Sequence, residues 1–524
     1  MIPIGQMDIG GTATQTMQIA KFDGVNTALA FSELKNTEAL KVMNGLPGSL
    51  GSLAKRPGTI PVTASALATP ITGIFSYRKT KQDHVMAVSN NQLFELTGDT
   101  LTAKTGTLSS SEVDQAQFKD ENGQEVLIIA DGGNLKYYDG TDVKEIVPAA
   151  DDADPLPKND LNDINANHKP IGCLVHGARV VVWDGSDTIW HSKVGYYDYF
   201  PQTDFIRFVR KGDYIQTCVT YRGALLVFLR NSLAVLFGQD IENWQQDFLS
   251  TEEGCINPKT VQQVTFPDGK QEIFYLSDNG IQAVYTIDTV LIDSQARYST
   301  RSVSRTQIDW KELGVTKEEW QRAVAHFYDD KYWLIYPKGD KWEGLVFDTV
   351  FSNWYFINNI DAHAFFDNSD MFLFASDSGH VKEIDDSLFS DWDDKNRTTG
   401  TPINMYWYSN LLTPAVTGFD HFWDVVIVEA KQQFHKSTVD LELNTYDSKM
   451  ILNGQLKTEM MVWGDTVWGQ TQWPSINLTH YVNYAKRIRF FQKGKYLQIK
   501  ISNNRDEPIE IYNITLEVRA MRPY

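Results

Sequence analysis

The chain has 524 residues, of which 42% are hydrophobic and 12% aromatic, so it can bury a sizeable core and is not globally disordered. Its formal net charge is −19. Residues 60–400 carry 30 basic and 51 acidic side chains, whereas residues 1–59 and 401–524 each carry a net charge of +1. An acidic body of this kind argues against tight nucleic-acid binding, which needs cationic groups opposite the phosphates.

We expect neither an export signal nor a membrane-spanning segment in this sequence. The N-terminal segment lacks the basic and continuous apolar regions of a secretory leader, and no apolar run is long enough to span a bilayer. The three cysteines, Cys173, Cys218 and Cys255, are odd in number and widely spaced, which gives no disulfide framework and no metal knuckle. We therefore expect a chain that is made and folded in a reducing cytoplasm.

Residues 1–60 are polar and rich in glycine, and they end in a segment dense in glycine and proline. Leu34, Ala39, Leu40 and Met43 have the spacing of a short helical stripe. The Gly/Pro-rich part that follows is typical of an extended chain with turns. The pattern predicts an N-terminal arm over residues 1–60 that docks on another surface, with Arg56, Pro57 and Gly58 as candidate interface residues.

Seven hairpin-like units follow between residues 61 and 396, each made of an apolar run, a short polar turn and a second apolar run. The turns lie at Asn90, Asp131, Asp184, Asn231, Asp278, Asp329 and Asp377, which are 41 to 53 residues apart. A hairpin repeated at this period is the signature of a β-propeller with about four strands per blade. The sequence therefore predicts an all-β chain whose propeller spans residues 61–396, with seven blades favoured and six or eight left open.

Two insertions lie between the hairpins, a long polar loop at residues 148–170 and the segment at residues 299–325. Residues 299–325 contain the best helix candidate, with Thr316 as its N-cap and Glu318 and Glu319 in the first turn. The acidic run at residues 385–396 has neither the oxygen spacing nor the glycine of a calcium loop. It is interpreted as a solvated linker at the end of the propeller.

Residues 397–524 have a different pattern, with about eight short alternating strands that predict a C-terminal β-sandwich. Trp463, Trp468 and Trp473 are five residues apart, a spacing that alternates faces on a strand and favours core or interface packing over a single platform. Arg487, Arg489 and Lys493 lie on one face if their strand is continuous, and they are candidates for a basic surface.

Catalytic motifs are missing from the sequence. There is no Gly-rich phosphate loop, no HExxH and no GxSxG, and the ten histidines have no metal-like partner at short spacing. We predict no catalytic residue, no cofactor and no metal site, and a chain that is not an enzyme.

Several segments, in order along nearly the whole chain, resemble the tail nozzle proteins of tailed bacteriophages, also called tail hub or packaged-DNA stabilisation proteins. These are known chiefly from short-tailed phages. The segments are NTEALKVMNGLPGSLGSLAKRPGT (36–59), GARVVVWDGSDTIWHSKVGYYDYFP (177–201), GALLVFLRNSLAVLFG with GCINPKTVQQV and IFYLSDNGIQAV (223–284), AHFYDDKYWLIYP with LVFDTVFSNWYF (325–356), and KGKYLQIKISNNRDEPIEIYNITLEVRA (493–520). The Arg-Pro-Gly-Thr turn at residues 56–59 and the order of the segments are the most specific features. In the second segment Tyr199 precedes Phe200 where the family has Asp-Phe.

The resemblance implies a structural protein of the virion tail, assembled in the host cytoplasm. It implies a ring of identical subunits, usually six, below the portal and its adaptor, in contact with tail fibre or tail tip proteins. The ring would retain the packaged genome and conduct double-stranded DNA during ejection without binding a specific sequence. An acidic wall would let DNA slide past, because like charges repel.

Two other classes of function remain open from the sequence. One is a propeller-based binding protein of the tail that recognises host glycans, through its Trp-rich C-terminal domain, or a scaffold partner. The other is a secreted propeller hydrolase, against which the missing leader and the missing Asp-box turns of sialidase blades both argue.

Overall fold

The computed structural model describes residues 14–30, 32–151, 157–238, 243–287, 297–368, 371–414, 420–431, 437–446, 448–457 and 483–520. These residues are mostly β-strand and form a ring of antiparallel sheets beside two larger sheets. The predicted fold class, an all-β chain with a β-propeller and a β-sandwich, is confirmed. The described residues contain no helix with the length and hydropathy that a bilayer crossing requires.

Five short strands precede the ring: β1 (Thr14–Ile19), β2 (Ala39–Met43), β3 (Gly45–Pro47), β4 (Leu53–Lys55) and β5 (Gly58–Pro61). Six four-stranded blades follow in chain order. Their strands are β6–β9 (Gly73–Lys79, Gln82–Ser89, Gln92–Thr97, Thr100–Ala103), β10–β13 (Asp114–Lys119, Glu125–Ala130, Lys136–Tyr138, Val143–Glu145), β14–β17 (Gly172–His176, Arg179–Trp183, Thr188–His191, Phe205–Arg207), β18–β21 (Ile215–Tyr221, Ala224–Leu229, Leu233–Phe237, Gln245–Ser250), β22–β25 (Gln262–Thr265, Gln271–Ser277, Gly280–Ile287, Arg297–Ser302) and β26–β29 (Val324–Tyr328, Lys331–Lys338, Lys341–Asp348, Asn353–Asn358).

The seventh blade closes the ring with a strand from the start of the chain. Its first three strands are β30 (Ala362–Asp367), β31 (Phe372–Ser376) and β32 (Val381–Asp385), and its fourth is β5, antiparallel to β32 with Gly58 opposite Asp385. The first strands of most neighbouring blades contact one another, and β30 of the seventh blade contacts β6 of the first blade, so the ring is closed. Hydrogen bonds between β5 and β32 therefore tie residues 58–61 to a strand more than 300 positions further along the chain.

Each blade contains one of the seven predicted hairpins. In six blades the predicted turn joins the second strand to the third; at Asn90 and Asn91 the backbone is left-handed, as a tight two-residue turn requires. In the sixth blade, Asp329 instead joins the first strand to the second, and the equivalent turn lies at Gly339 and Asp340. The sequence pattern predicts the wrong turn in this blade, because β26 and β27 are both apolar runs joined by two polar residues and so look like the second and third strands.

The remaining strands are β33 (Ser390–Trp392), β34 (Gly400–Pro402), β35 (Met405–Ser409), β36 (His421–Lys431), β37 (Thr438–Asn444), β38 (Lys449–Lys457), β39 (Asn483–Gly494), β40 (Gln498–Asn503) and β41 (Glu510–Ala520). One sandwich sheet has the order β3-β4-β41-β36-β39, with β1 also paired to β41, and the other has the order β2-β35-β40-β37-β38. We call these the first and second sandwich sheets. β33 and β34 extend the seventh blade beyond β5.

The described part of the expected N-terminal arm is not a separate element. Strands β1, β3 and β4 belong to the first sandwich sheet, β2 belongs to the second, and β5 belongs to the propeller. The helical stripe predicted near residue 40 is wrong, because residues 39–43 form strand β2, antiparallel to β35. Tertiary pairing overrides a weak local period here, since β1, β2, β4 and β5 all pair with strands more than 300 positions further along the chain.

Short helical turns occur at Ser49–Gly51, Leu161–Asp163, Ile164–His168, Pro258–Thr260 and Lys317–Trp320. The last of these confirms the predicted helix start. The Thr316 hydroxyl accepts from the Glu319 amide, and the Glu319 carboxylate accepts from the Thr316 amide. This reciprocal pair is a capping box, which the sequence pattern Thr-x-x-Glu predicts.

The hydrophobic core is divided between the blades except on one side. Separate clusters of buried residues fill the spaces between most neighbouring blades. A single larger cluster runs from the fifth, sixth and seventh blades into the interior of the sandwich. Within it, Phe22 packs edge-to-face on Trp407, with ring centroids 5.1 Å apart. The propeller and the sandwich are therefore joined by continuous apolar packing.

Candidate functional site

Arg56 lies at the joint between the propeller and the sandwich, and its side chain is 0% exposed. Its two terminal nitrogens donate to the two carboxylate oxygens of Asp391 over 2.9 and 2.6 Å. They also donate to the carbonyls of Pro57 and Asn358, and Nε donates to Asn44. All five guanidinium N–H groups are thereby satisfied in a bidentate, planar arrangement.

Asn44 lies between β2 and β3, where its backbone is in the left-handed region at φ 57°. Its side chain completes the joint. Its amide nitrogen donates to the side chain of Asn358 and to the carbonyl of Asn404, over 2.8 and 2.9 Å. Its side-chain oxygen accepts from both Arg56 and the Asn358 backbone amide. One asparagine thus connects the sixth blade, the N-terminal segment and the sandwich.

The structure places the candidate interface residues Arg56, Pro57 and Gly58 at the joint between the propeller and the sandwich. Arg56 and Gly58 are buried, and a methyl group added at Gly58 would lie 2.3 Å from the Ser390 carbonyl oxygen. The linker interpretation of residues 385–396 is corrected as well, because residues 390–392 form strand β33 and Asp391, which is only 14% exposed, pairs with Arg56 and accepts from the Thr59 hydroxyl. Arg56 and Asp391 are 335 positions apart, so no local pattern could pair them.

A cavity of about 550 Å³ opens at the propeller axis, at the end where second and third strands are joined. It is lined by Ser109, Asp114, Asp131, Trp183, Gln216 and Lys259, among others. Lys259 precedes the fifth blade and forms a 2.7 Å ion pair with Glu112, which precedes the second. Its ammonium group also donates to the carbonyls of Thr72 and His363, in the first and seventh blades. The side chain therefore crosses the mouth of the axial channel.

The cavity contains a carboxyl group with a perturbed pKa. Burial raises the pKa of Asp114 to about 6, against the opposing effect of hydrogen bonds from the backbone amides of Cys173 and Gln115; the residue keeps some solvent contact through the cavity. Burial also raises the pKa of the Cys173 thiol, which disfavours a reactive thiolate. Among the described residues, no group of His, Cys, Asp and Glu side chains is arranged to hold a metal ion.

The predicted basic face lies on strand β39, at the edge of the first sandwich sheet. Arg487, Arg489 and Lys493 are all exposed and alternate with buried residues, so they share one face of the strand. The pairing of this strand with β36 shifts register between Trp423 and Val425, but the alternation continues through the shift. Arg487 pairs with Glu517 at 2.7 Å and Lys493 pairs with Asp420 at 3.0 Å. Phe491 is 72% exposed on the same face, so the surface is mixed apolar and charged. Trp463, Trp468 and Trp473 lie outside the described residues.

No protein-family model matches the chain, and no curated protein matches it. Solved structures with a similar arrangement include virginiamycin B lyase from Staphylococcus aureus, which is 11% identical, with 62% of this chain and 97% of that chain covered and a TM-score of 0.38. BamB from Moraxella catarrhalis is 11% identical, with 62% and 97% covered and a TM-score of 0.34. The extracellular domain of the putative one-component system BT4673 from B. thetaiotaomicron is 10% identical, with 92% and 63% covered and a TM-score of 0.41. Likeness at this level concerns the propeller fold alone.

Proposed function

We propose that this chain is a non-enzymatic structural subunit of a bacteriophage tail, which forms a ring below the portal and its adaptor. The ring would hold the packaged genome and conduct it during ejection. The observation that carries the proposal is the place of the Arg-Pro-Gly-Thr turn, the most specific piece of the resemblance to tail nozzle proteins. It occupies the buried joint that holds the propeller and the sandwich together.

The path of DNA in this proposal lies between subunits and not through a propeller. Lys259 crosses the axial channel and forms an ion pair with Glu112 over 2.7 Å, which blocks the channel. A DNA duplex, whose major groove alone is about 12 Å wide, is too broad to pass there. The propeller region carries 30 basic and 51 acidic side chains. A passage walled by such subunits would repel phosphates, so that the duplex would slide without adhering.

Electron microscopy of the parent particle, with an antibody fragment against this chain as the label, tests the proposal. We expect the label on a ring coaxial with the portal, with propellers in the ring wall. An antibody fragment against the major capsid protein serves as the labelling control. Label confined to the fibres, or absent from the virion, would contradict the structural role in the conduit.

A further inference from the structure

A polar groove lies on the face of the second sandwich sheet that points away from the sandwich core. Asn404, whose carbonyl accepts from Asn44 of the joint, is among its lining residues. The groove has a volume of about 580 Å³ and is lined by side chains from β2, β35, β37 and β40, among them Lys41, Tyr406, Tyr408, Asp440, Gln498 and Lys500. These residues alternate along their strands with Trp407, Ile499, Ile501 and other buried side chains of the sandwich core. The sheet thus presents one apolar face to the core and one polar, aromatic face to the groove.

The strand register arranges the groove side chains in two rows. In one row, Tyr408 lies between Lys41 and Lys500, with Glu442 next to Lys500. In the second row, Ser502 lies between Tyr406 and Asp440. The two tyrosine rings are 5.6 Å apart at an interplanar angle of 80°, so only one ring can lie parallel to a flat ligand in the groove.

Much of the hydrogen-bonding capacity of the groove is unused within the chain. Among the described residues, the side chains of Lys41, Ser502 and Asn504 have no hydrogen-bond or ion-pair partner. The side-chain amide of Gln498 donates to the Ser409 carbonyl, which leaves its own oxygen available. Hydroxyl, amide and ammonium groups spaced along a groove with a tyrosine ring suit a ligand that carries many hydroxyl groups.

The charges in and around the groove favour an anion. Asp440 is paired with Arg505 at 3.0 Å, Glu442 with Lys449 at 2.8 Å, and the neighbouring Glu343 of the sixth blade with Lys338 at 3.1 Å. Lys41 and Lys500 leave the groove with an excess of positive charge, and the Lys500 ammonium group also interacts with the Tyr408 hydroxyl and with Glu442. Lys500 lies 5.2 Å from the centre of the Tyr408 ring, so a cation and an aromatic surface are adjacent.

We propose that this groove binds an acidic oligosaccharide, with its sugar ring against a tyrosine and its carboxylate near Lys41 and Lys500. The cavity volume lies within the range of small-ligand sites, about 300–1,000 Å³. A nucleic acid fits less well, because two cations in excess cannot replace the counterions of a phosphate backbone. The site lies within one chain, so it requires no ring and does not depend on the structural role proposed above.

The full chain is applied to an array of sialylated, uronic-acid-containing and neutral oligosaccharides. The acidic ligand bound most strongly is then titrated by calorimetry. We expect binding to acidic glycans only, and at least a tenfold loss of affinity in Tyr408→Ala and in Lys41→Met. Inorganic phosphate at the same concentration should neither bind in the calorimeter nor displace the glycan.

Two matched variants separate the groove from the rest of the surface. Tyr446→Ala removes a tyrosine that is 80% exposed outside the groove, and Lys495→Met removes an exposed lysine of the same domain. Both should retain wild-type affinity, and circular dichroism should confirm that all four variants are folded. Absence of glycan binding by the wild-type chain, equal binding of neutral glycans, or equal losses in the control variants would each overturn the proposal.

Discussion

Arg56 shows how one side chain can connect two domains. Its guanidinium group is removed from water, and it is held there by a carboxylate, two backbone carbonyls and an asparagine. A buried charge of this kind adds little net stability when it is complete, because desolvation offsets the attraction. Its removal is costly, since the remaining partner is then buried without compensation.

We therefore expect Asp391→Asn to destabilise the protein by about 3 kcal/mol, because the Arg56 charge loses its counterion. The double variant Arg56→Met/Asp391→Asn should lose less than the sum of the two single variants. Urea unfolding followed by circular dichroism measures both effects. Asp187→Asn is the control; its partner Arg207 is mostly exposed, so the loss should stay under about 1 kcal/mol. Equal losses for Asp391→Asn and Asp187→Asn would contradict this assignment.

At the scale of elements, the closing strand β5 depends on a close approach that only glycine permits. A methyl group at Gly58 would lie 2.3 Å from the Ser390 carbonyl oxygen and 2.8 Å from the Leu388 side chain. Gly73, at the start of β6, has a nearest neighbour at 3.6 Å and the same kind of extended backbone. The two positions form a matched pair for testing how tightly the ring is closed.

Gly58→Ala should lower the melting temperature by several degrees, because either β5 or the turn before β33 must shift. Gly73→Ala should change it by much less. Hydrogen exchange should locate the loss of protection in residues 58–61 and 381–385, the two strands that pair at the closure. Protection that is unchanged in those strands would show that they do not depend on the small size of Gly58.

The elements differ in how far the sequence predicts them. The hairpins are predictable because the second strand of a blade is mostly apolar and buried, and is completely buried in Ala224–Leu229 and Phe372–Ser376, and a polar turn follows. The closure and the joint are not, because Gly58 pairs with Asp385 and Asn44 with Asn358 over more than 300 residues. The groove was missed for the same reason: Lys41 and Lys500 meet only through strand pairing.

At the scale of the whole molecule, the two domains share their stabilising contacts. Strands β1 to β4 belong to the sandwich, the next strand closes the propeller, and one apolar cluster extends through both. The three cysteines all lie in the propeller and are buried, so their reactivity towards a thiol reagent reports the opening of the propeller alone. This gives a direct measure of whether the sandwich supports the propeller.

Ile501→Ala removes buried side-chain volume from the sandwich core and should cost about 2–5 kcal/mol. Because the domains share a core, we expect it to lower the urea midpoint of thiol labelling in the propeller, together with the midpoint measured by circular dichroism. Ile451→Ala, at a position 55% exposed on β38, should leave both midpoints unchanged. Should Ile501→Ala leave thiol labelling at its wild-type midpoint, the propeller would be stable without the sandwich, and the joint at Arg56 would connect two independent folding units.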